Sequence, residues 1–134
     1  MPYPPITGAN TFGLGPSAGS ITAFLRQPVR APLTPASQLV IQTGAPGVEG
    51  LDSIRLEWTY LTQDQFAQLQ KAVEEARATY AGFYYLRYWD RRAGSPAGAG
   101  AFVVKKCIPM DPVGIERGQL YRDVSMEFRA LGIA

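Results

Sequence analysis

Residues 56–90, LEWTYLTQDQFAQLQKAVEEARATYAGFYYLRYWD, decide the fold of this chain. The spacing of their apolar residues changes from a period of about two to a helical period and back again, which predicts a strand, a helix and a second strand. The first alternation begins shortly before this stretch and places apolar side chains on one face of a half-buried strand. The predicted apolar face consists of Ile54, Leu56, Trp58 and Tyr60.

The middle of this stretch carries the signals that start and end a helix. Thr62, followed three residues later by Gln65, matches a capping box, and Leu61 and Phe66 stand where a hydrophobic staple packs. Gly82 is placed to end the helix in a left-handed turn. The sequence therefore predicts a helix over 63–80. Its predicted apolar stripe consists of Phe66, Leu69, Val73, Ala76 and Tyr80.

The aromatic strand after the helix is predicted to form a long hairpin over 83–107. Its loop, DRRAGSPAGAG at 90–100, consists mainly of small residues, and β-forming residues resume after it. One face of the first strand is predicted to carry Tyr84, Leu86, Tyr88 and Asp90. A closing strand is predicted from the alternation of Leu120, Val124, Met126 and Phe128, which Arg122 interrupts near its start. We therefore interpret residues 51–134 as a compact α+β domain.

Residues 1–50 differ in composition from the rest of the chain. They contain eight of the eleven prolines and seven of the fourteen glycines, and no charged residue occurs before position 26. We interpret them as an extended arm with short strands at 20–26 and 38–43; a mobile tail is the alternative. Because a neutral segment rich in glycine and proline has few means of folding on itself, we expect a neighbouring surface to hold it. A chain without residues 2–25 is then expected to fold but not to assemble.

Composition excludes several kinds of reactive site. The chain has no histidine and one cysteine, Cys107, which rules out an internal disulfide, Ser–His and Cys–His nucleophile pairs and zinc sites with histidine. Glu74 and Glu75 are adjacent and diverge on a helix, so they do not form an acid–base pair. We predict that the protein is not an enzyme and has no metal, cofactor or small-molecule substrate. Cys107 is predicted to be a small core residue, with a reactive thiol as the alternative.

The overall charge indicates neither a strongly basic binder nor a membrane protein. Thirteen Lys and Arg against eleven Asp and Glu give a formal net charge of +2, which is weaker than the basic patch of a dedicated nucleic-acid binder. No apolar run is long enough for a membrane span, and the N-terminus lacks the pattern of a signal peptide. We therefore expect cytoplasmic synthesis and no membrane partner.

The stretch GFYYLRYWDRR at 82–92 allows two interpretations. Exposed aromatic rings would stack on nucleic acid or sugar, whereas buried rings would pack against the helix or another subunit. An RNA-binding sheet needs aromatic residues on two neighbouring strands with a defined signature, which this chain lacks, so we favour packing. Arg91 and Arg92 are solvated loop charges, salt-bridge donors to a neighbouring subunit or guides for a polyanion.

The order of elements over 51–132 resembles the minor tail and distal tail proteins of long-tailed bacteriophages. Three segments carry the resemblance: LEWTYLTQDQFAQLQKAVEEARATYAGFYYLRYWD at 56–90, FVVKKC at 102–107 and YRDVSMEFRALG at 121–132. In that family a strand leads into a helix, a glycine, an aromatic strand and a closing strand of the V-x-M-x-F type, which is found here at 124–128.

The resemblance implies a small antiparallel β-barrel or sandwich with one flanking helix and, in this chain, an extended N-terminal arm. It implies a homo-oligomeric ring at the tip of the tail, typically hexameric and sometimes trimeric, that joins the tube to the hub. Tube and hub proteins are then the partners, DNA is only cargo of the lumen, and the location is the virion tail. The long arm departs from compact members of the family and leaves a tail tube, terminator or connector subunit as alternatives. A small sheet module that binds carbohydrate or single-stranded nucleic acid is a further alternative.

Candidate contacts with neighbouring subunits come from the arm, the aromatic strand and the hairpin loop. Protein interfaces favour aromatic residues and arginine at their centres. The candidates are Tyr3, Phe12, Phe24, Tyr84, Tyr88, Arg91 and Arg92. The loop at 90–100 is expected to meet an adjacent ring or to face the lumen.

Overall fold

A computed structural model of the chain describes residues 11–34, 37–40, 46–49, 51–94, 96 and 98–133. Within these ranges one helix and ten strands follow one another along the chain. They are β1 (Gly13–Gly15), β2 (Thr22–Ala23), β3 (Leu33–Thr34), β4 (Ser37–Val40), β5 (Pro46–Glu49), β6 (Asp52–Thr62), α1 (Gln63–Thr79), β7 (Tyr84–Asp90), β8 (Ala101–Pro109), β9 (Val113–Arg117) and β10 (Leu120–Leu131). The predicted sequence of strand, helix, hairpin and closing strand is therefore confirmed.

Eight strands form one antiparallel sheet in the order β2-β1-β7-β8-β10-β6-β3, with β9 paired to β10. β4 and β5 pair with each other in a separate two-stranded sheet. β8 connects the two parts of the large sheet, because it pairs with β7 over 101–107 and with the end of β10 at Ile108 and Pro109. The order ends at β2 and β3, so the sheet formed by the described residues is not a closed barrel. Of the two expected architectures the barrel is wrong, and the sandwich stays a prediction. The α+β class is confirmed: mostly antiparallel sheet with one helix.

The helix begins as its sequence predicts. Thr62 is the N-cap: its hydroxyl accepts from the backbone NH of Gln65, and the Gln65 side chain accepts from the Thr62 NH at 2.9 Å. The apolar stripe is buried as far as Ala76, but Tyr80 is 39% exposed and does not extend it. The buried residues of the helix are Phe66, Leu69, Ala72, Val73 and Ala76.

The helix ends in a left-handed turn, as Gly82 predicts. Gly82 has φ +90°, and Ala81 before it also lies in the left-handed region at φ +57°. The backbone NH groups of Tyr80 and Gly82 both donate to the carbonyl of Ala76, which satisfies one of the carbonyls left free at the helix end. This turn sets the direction in which β7 leaves the helix.

In β6 and β10, which pair with each other, the buried face changes from one side of the strand to the other, and it does so at the same height in the sheet. Tyr60 in β6 is 40% exposed, contrary to the alternation that we predicted, and the next residue, Leu61, is buried instead. In β10 the half-buried Tyr121 faces inward, where its ring stacks on Phe66 with centroids 4.0 Å apart. Asp123, at φ +53°, lies where β10 shifts register against β9. This irregularity explains why Arg122 interrupts the apolar alternation.

The described part of the N-terminal segment packs on the same chain. β1 lies between β2 and β7, and Phe12, Leu14 and Phe24 are each at most 5% exposed. The indole NH of Trp58 donates to the carbonyl of Arg26 at 2.7 Å. For residues 11–34, the sheet of the chain itself supplies the surface that we expected from a neighbour.

The short strands predicted in the N-terminal segment are found in part. β2 occupies two of the seven residues predicted at 20–26. β4 begins at Ser37, one residue before the predicted strand at 38–43, and residues 41–43 lie outside the described ranges.

Candidate functional site

Four of the seven candidate contact residues are buried within the chain. Phe12, Phe24, Tyr84 and Tyr88 are 2%, 5%, 6% and 0% exposed, so in this conformation their side chains offer almost no area to another molecule. Tyr3 lies outside the described residues. Their part in subunit contacts stays a prediction, and the accessible candidates are the two arginines of the loop.

Tyr84 and Tyr88, which share one face of β7, belong to the core and do not form a stacking platform. The Tyr84 hydroxyl donates to Glu75 Oε1 at 2.9 Å, and burial followed by this hydrogen bond raises the pKa of Tyr84. The Tyr88 hydroxyl has no hydrogen-bond partner among the described residues. Burial, with the nearby charges of Asp90 and Asp52, raises the pKa of Tyr88 to about 12.

Arg87, on the opposite face of β7, contacts the start of the described N-terminal segment. Arg87 donates from Nε to the carbonyl of Thr11 at 2.7 Å and from a terminal nitrogen to the Thr11 hydroxyl at 3.1 Å. Desolvation lowers the pKa of Arg87. Arg87 therefore fixes the backbone just before Phe12 and is occupied by this contact.

Arg92 anchors the root of the 90–100 loop. Its guanidinium forms ion pairs with Asp90, at the end of β7, and with Asp52, at the start of β6. Its backbone NH also donates to Asp90 Oδ1 at 2.9 Å. Burial opposes ionisation of Asp90, but the hydrogen bonds and charge of Arg92 outweigh burial and lower its pKa. The hydrogen bonds that Arg92 donates to Asp90 and Asp52 raise the pKa of Arg92, so all three groups are held in their charged forms.

Arg91 differs from its neighbour because its charge is uncompensated in the described structure. Its side chain is exposed and forms no ion pair or hydrogen bond with any residue in the described ranges. The ion pairs and hydrogen bonds of Arg92 fix the loop backbone at the adjacent residue, Arg91. An ordered, unpaired guanidinium is suited to a carboxylate or phosphate group, which it can bind in a bidentate manner.

A cleft of about 500 Å³ opens beside Arg91. Its volume is within the range of about 300–1,000 Å³ that is typical of small-molecule sites. Apolar walls face the two arginines. The lining residues are Phe12, Ala31, Pro32, Leu33, Trp89, Arg91 and Arg92. The cleft can therefore accept an apolar group that carries a negative charge.

The aromatic wall of this cleft is rigid. Phe102 contacts both Trp89 and Phe12 edge to face, with ring centroids 5.2 Å and 5.4 Å apart. The loop backbone approaches the indole so closely at Gly100 that a Cβ there would lie 2.5 Å from Trp89 Cζ2. Gly100 also has φ +91°, so the loop requires glycine at this position both for space and for conformation.

Comparison of the chain with protein-family models, with curated proteins and with solved structures finds no significant match. Within the described ranges, no helix is both long and apolar enough to cross a membrane. The same ranges contain no group of three or more His, Cys, Asp or Glu side chains that could hold a metal ion. Cys107 is fully buried, as its predicted core role requires, and burial raises the pKa of its thiol to about 12.

Sequence reasoning missed the residues that complete the cleft and its anchor. Asp52 lies 40 positions before Arg92, and no local pattern connects the two. The wall formed by residues 31–33 comes from the segment that we interpreted as an arm. The available signal was that this segment carries large apolar residues and few charges, which fits burial in its own chain as well as contact with another.

Proposed function

We propose that this protein is a structural subunit of a bacteriophage tail, of the distal-tail or minor-tail class. In this proposal its copies form a ring at the tail tip that joins the tube to the hub. One observation carries the proposal: β6, α1, β7, β8 and β10 follow one another at the residues on which the resemblance to tail proteins rests. Because one fold can serve many functions, the proposal also draws on the accessible surface of the loop.

The loop root offers the charge that such an assembly needs. Arg92 holds the loop through Asp90 and Asp52, and Arg91 then presents a free guanidinium to a carboxylate of the adjoining subunit. An apolar group of that subunit enters the neighbouring cleft beside Trp89. In this arrangement Arg91 is an anchor of the type common at interface centres. A hexameric ring is the leading stoichiometry, and a trimer is the alternative.

The mass of the assembled protein tests the proposal. Light scattering of the purified chain over a range of concentrations is expected to show a closed oligomer of six or three copies. Antibodies raised against the chain are expected to label the tail tip of the virus particles that encode it. A strictly monomeric chain that labels no part of those particles would overturn the proposal. Label along the tube, or at the head-proximal end, would instead support a tube, terminator or connector subunit.

A matched pair of substitutions tests the role of Arg91. Arg91→Ala is expected to weaken the oligomer, because it removes the free guanidinium beside the cleft. Lys71→Ala is the control, since Lys71 in α1 is also exposed, carries the same charge and forms no ion pair within the described ranges. Equal effects of the two substitutions would show that only net charge matters and would remove Arg91 from the proposed interface.

A ligand-binding module is the second candidate function, and the cleft favours it. Trp89 is half-buried and stands beside Arg91, an arrangement that suits a sugar ring or a base with a nearby negative charge. Because Tyr84 and Tyr88 are buried, the ring that this candidate can use for stacking is that of Trp89. Salt-dependent binding of single-stranded nucleic acid that Trp89→Ala abolishes would favour this candidate over the structural one.

A further inference from the structure

Strand β9 presents an open edge. Within the described ranges it pairs only with β10, and no backbone group of 113–117 bonds to any described residue outside that ladder. Natural sheets protect exposed edges with lysine, proline, bulges or very short strands, because free NH and CO groups otherwise recruit another strand. β9 is five residues long, and its first three residues, VGI, carry no charge.

The outer face of β9 is apolar and exposed, whereas its inner face is packed. Val113 is 65% exposed and Ile115 is 51% exposed, and they lie on the same face of the strand. On the inner face, a Cβ added to Gly114 would meet Val124 at 2.9 Å and Phe66 at 3.5 Å. The inner face is thus closed by the core, and the edge and outer face are the free surfaces.

We propose that β9 pairs antiparallel with β9 of a second copy of this chain, about a two-fold axis through Ile115. Such an axis keeps each face of one sheet continuous with the same face of the other sheet. Two residues that lie opposite each other must therefore both have odd numbers or both have even numbers. With Ile115 opposite itself, Val113 faces Arg117 and Gly114 faces Glu116 of the other copy. All five residues of each strand are then paired.

The charged residues of β9 favour this register over the registers in which the two-fold axis is moved by one or two residues. Moving the axis to position 116 places Glu116 opposite Glu116, and moving it to 117 places Arg117 opposite Arg117; both arrangements are destabilised by like charge. An axis at position 114 shortens the overlap and leaves Arg117 outside it. The register at Ile115 places isoleucine against isoleucine and separates the like charges, so the strand is complementary to itself.

This contact is distinct from the proposed ring. A two-fold contact is isologous and joins copies in pairs, whereas a ring of three or six copies requires a heterologous contact between two different patches. One short strand pair is smaller than the contact area of a stable complex, so it binds weakly between free copies. It becomes effective when other contacts hold the copies close together. The β9 pairing can therefore be confirmed or rejected independently of the tail proposal.

Disulfide trapping tests the register directly. Residues opposite each other on antiparallel strands have Cβ atoms about 4.5–5.5 Å apart, which is close enough for a disulfide after a small adjustment. Ile115→Cys is expected to give a covalent dimer under mild oxidation, and Val113→Cys alone is not. A mixture of Val113→Cys and Arg117→Cys chains is expected to give the cross-linked heterodimer. The native Cys107 does not interfere, because it is fully buried.

Val29→Cys is the matched control, because Val29 is exposed to a similar extent, 55%, but its backbone NH bonds to Glu57 of β6 and not to β9. Cross-linking of Val29→Cys as efficiently as Ile115→Cys would show random collision and overturn the proposal. Failure of Ile115→Cys to cross-link, while the chain remains folded by circular dichroism, would also overturn it. Efficient cross-linking of Val113→Cys with itself would contradict the register.

A charge at the strand edge provides a second, non-covalent test. Ile115→Lys places two ammonium groups opposite each other and is expected to abolish dimer at concentrations where the unsubstituted chain forms it. Val29→Lys is expected to leave the dimer unchanged. Two results together would reject the β9 pairing and leave the tail proposal in place. They are a ring whose mass is the same in Ile115→Lys as in the unsubstituted protein, and the absence of cross-linking in Ile115→Cys.

Discussion

The guanidinium of Arg92 reaches the carboxylate of Asp52, 40 positions earlier in the chain, and so joins the root of the hairpin loop to the start of β6. The same guanidinium holds Asp90, which is 5% exposed. One arginine thus compensates two carboxylates in a region where an unpaired charge would be poorly solvated. Arg92 and Arg91 are adjacent in sequence but differ in role, since only Arg91 is free of ion pairs within the described ranges.

Arg92→Ala is expected to destabilise the protein by about 1–3 kcal/mol, because it leaves the buried carboxylate of Asp90 without the guanidinium that pairs with it. Arg91→Ala is the matched control and is expected to change the free energy of unfolding by no more than about 0.5 kcal/mol, as for most surface substitutions. Urea denaturation of both variants measures the difference. Equal stability of the two variants would contradict the anchoring role of Arg92.

Tyr88→Phe is expected to stabilise the protein by about 1 kcal/mol, since it removes a buried hydroxyl that has no partner among the described residues. It should also alter the response to alkali. The pKa of Tyr88 is raised to about 12 in the folded chain, above the value of about 10 in an unfolded chain. A raised folded pKa gives a contribution to stability that is complete below pH 10 and is lost as pH rises from about 10 to 12. Denaturation midpoints across this range should fall less steeply for Tyr88→Phe, and parallel curves would contradict the assignment.

Gly100→Ala and Gly98→Ala distinguish the two reasons why the loop requires glycine, which are backbone conformation and space beside the indole. Both glycines have left-handed backbones, with φ +91° and +90°, so both substitutions carry a similar conformational penalty of about 1 kcal/mol. Only at position 100 does an added Cβ meet Trp89; at position 98 it meets no described atom within 4 Å. Gly100→Ala is therefore expected to be the more destabilising and to shift the tryptophan emission. Equal stability and unchanged emission in both variants would show that the indole moves aside freely.

Two N-terminal deletions distinguish the arm from the domain. Deletion of residues 2–25 removes Phe12, Leu14 and Phe24 from the core and is expected to abolish cooperative unfolding, because losing one buried phenylalanine alone costs about 3–5 kcal/mol. This replaces our expectation that the shorter chain folds. Deletion of residues 2–10 keeps Phe12, Leu14 and Phe24 in the chain, and the shortened chain is expected to unfold cooperatively. A marked loss of stability in the shorter deletion would place residues 2–10 in the fold as well.

The sequence predicted the elements whose signals are local. The helix could be placed within one residue because its capping box and terminal glycine lie beside it, and the hairpin because its strands flank a loop of small residues. The alternation of β7 was also predictable: Tyr84, Leu86, Tyr88 and Asp90 share one face as expected, and the structure adds that this face is the buried one. In each case the interactions that fix the element join residues near in sequence.

The features that escaped prediction depend on contacts between distant residues. The cleft joins residues 31–33 to β7, and the loop anchor joins Asp52 to Arg92. The exposure of Tyr60 follows from a change of face shared by two strands, which the alternation of one strand cannot reveal. Apolar residues in the uncharged N-terminal segment had two explanations, contact with a neighbour or burial in the same chain, and composition does not distinguish them.

The pairing of β1 with β7 also constrains how the chain is made. Gly13 pairs with Arg87, 74 positions later, so the N-terminal segment leaves the ribosome long before its partner strand exists. At synthesis rates of 5–20 residues per second this delay is about 4–15 s. During that time Phe12, Leu14 and Phe24 have no completed sheet to cover them. The segment also has no charged residue before position 26 that would keep it solvated. The nascent chain therefore exposes apolar side chains that the finished fold conceals.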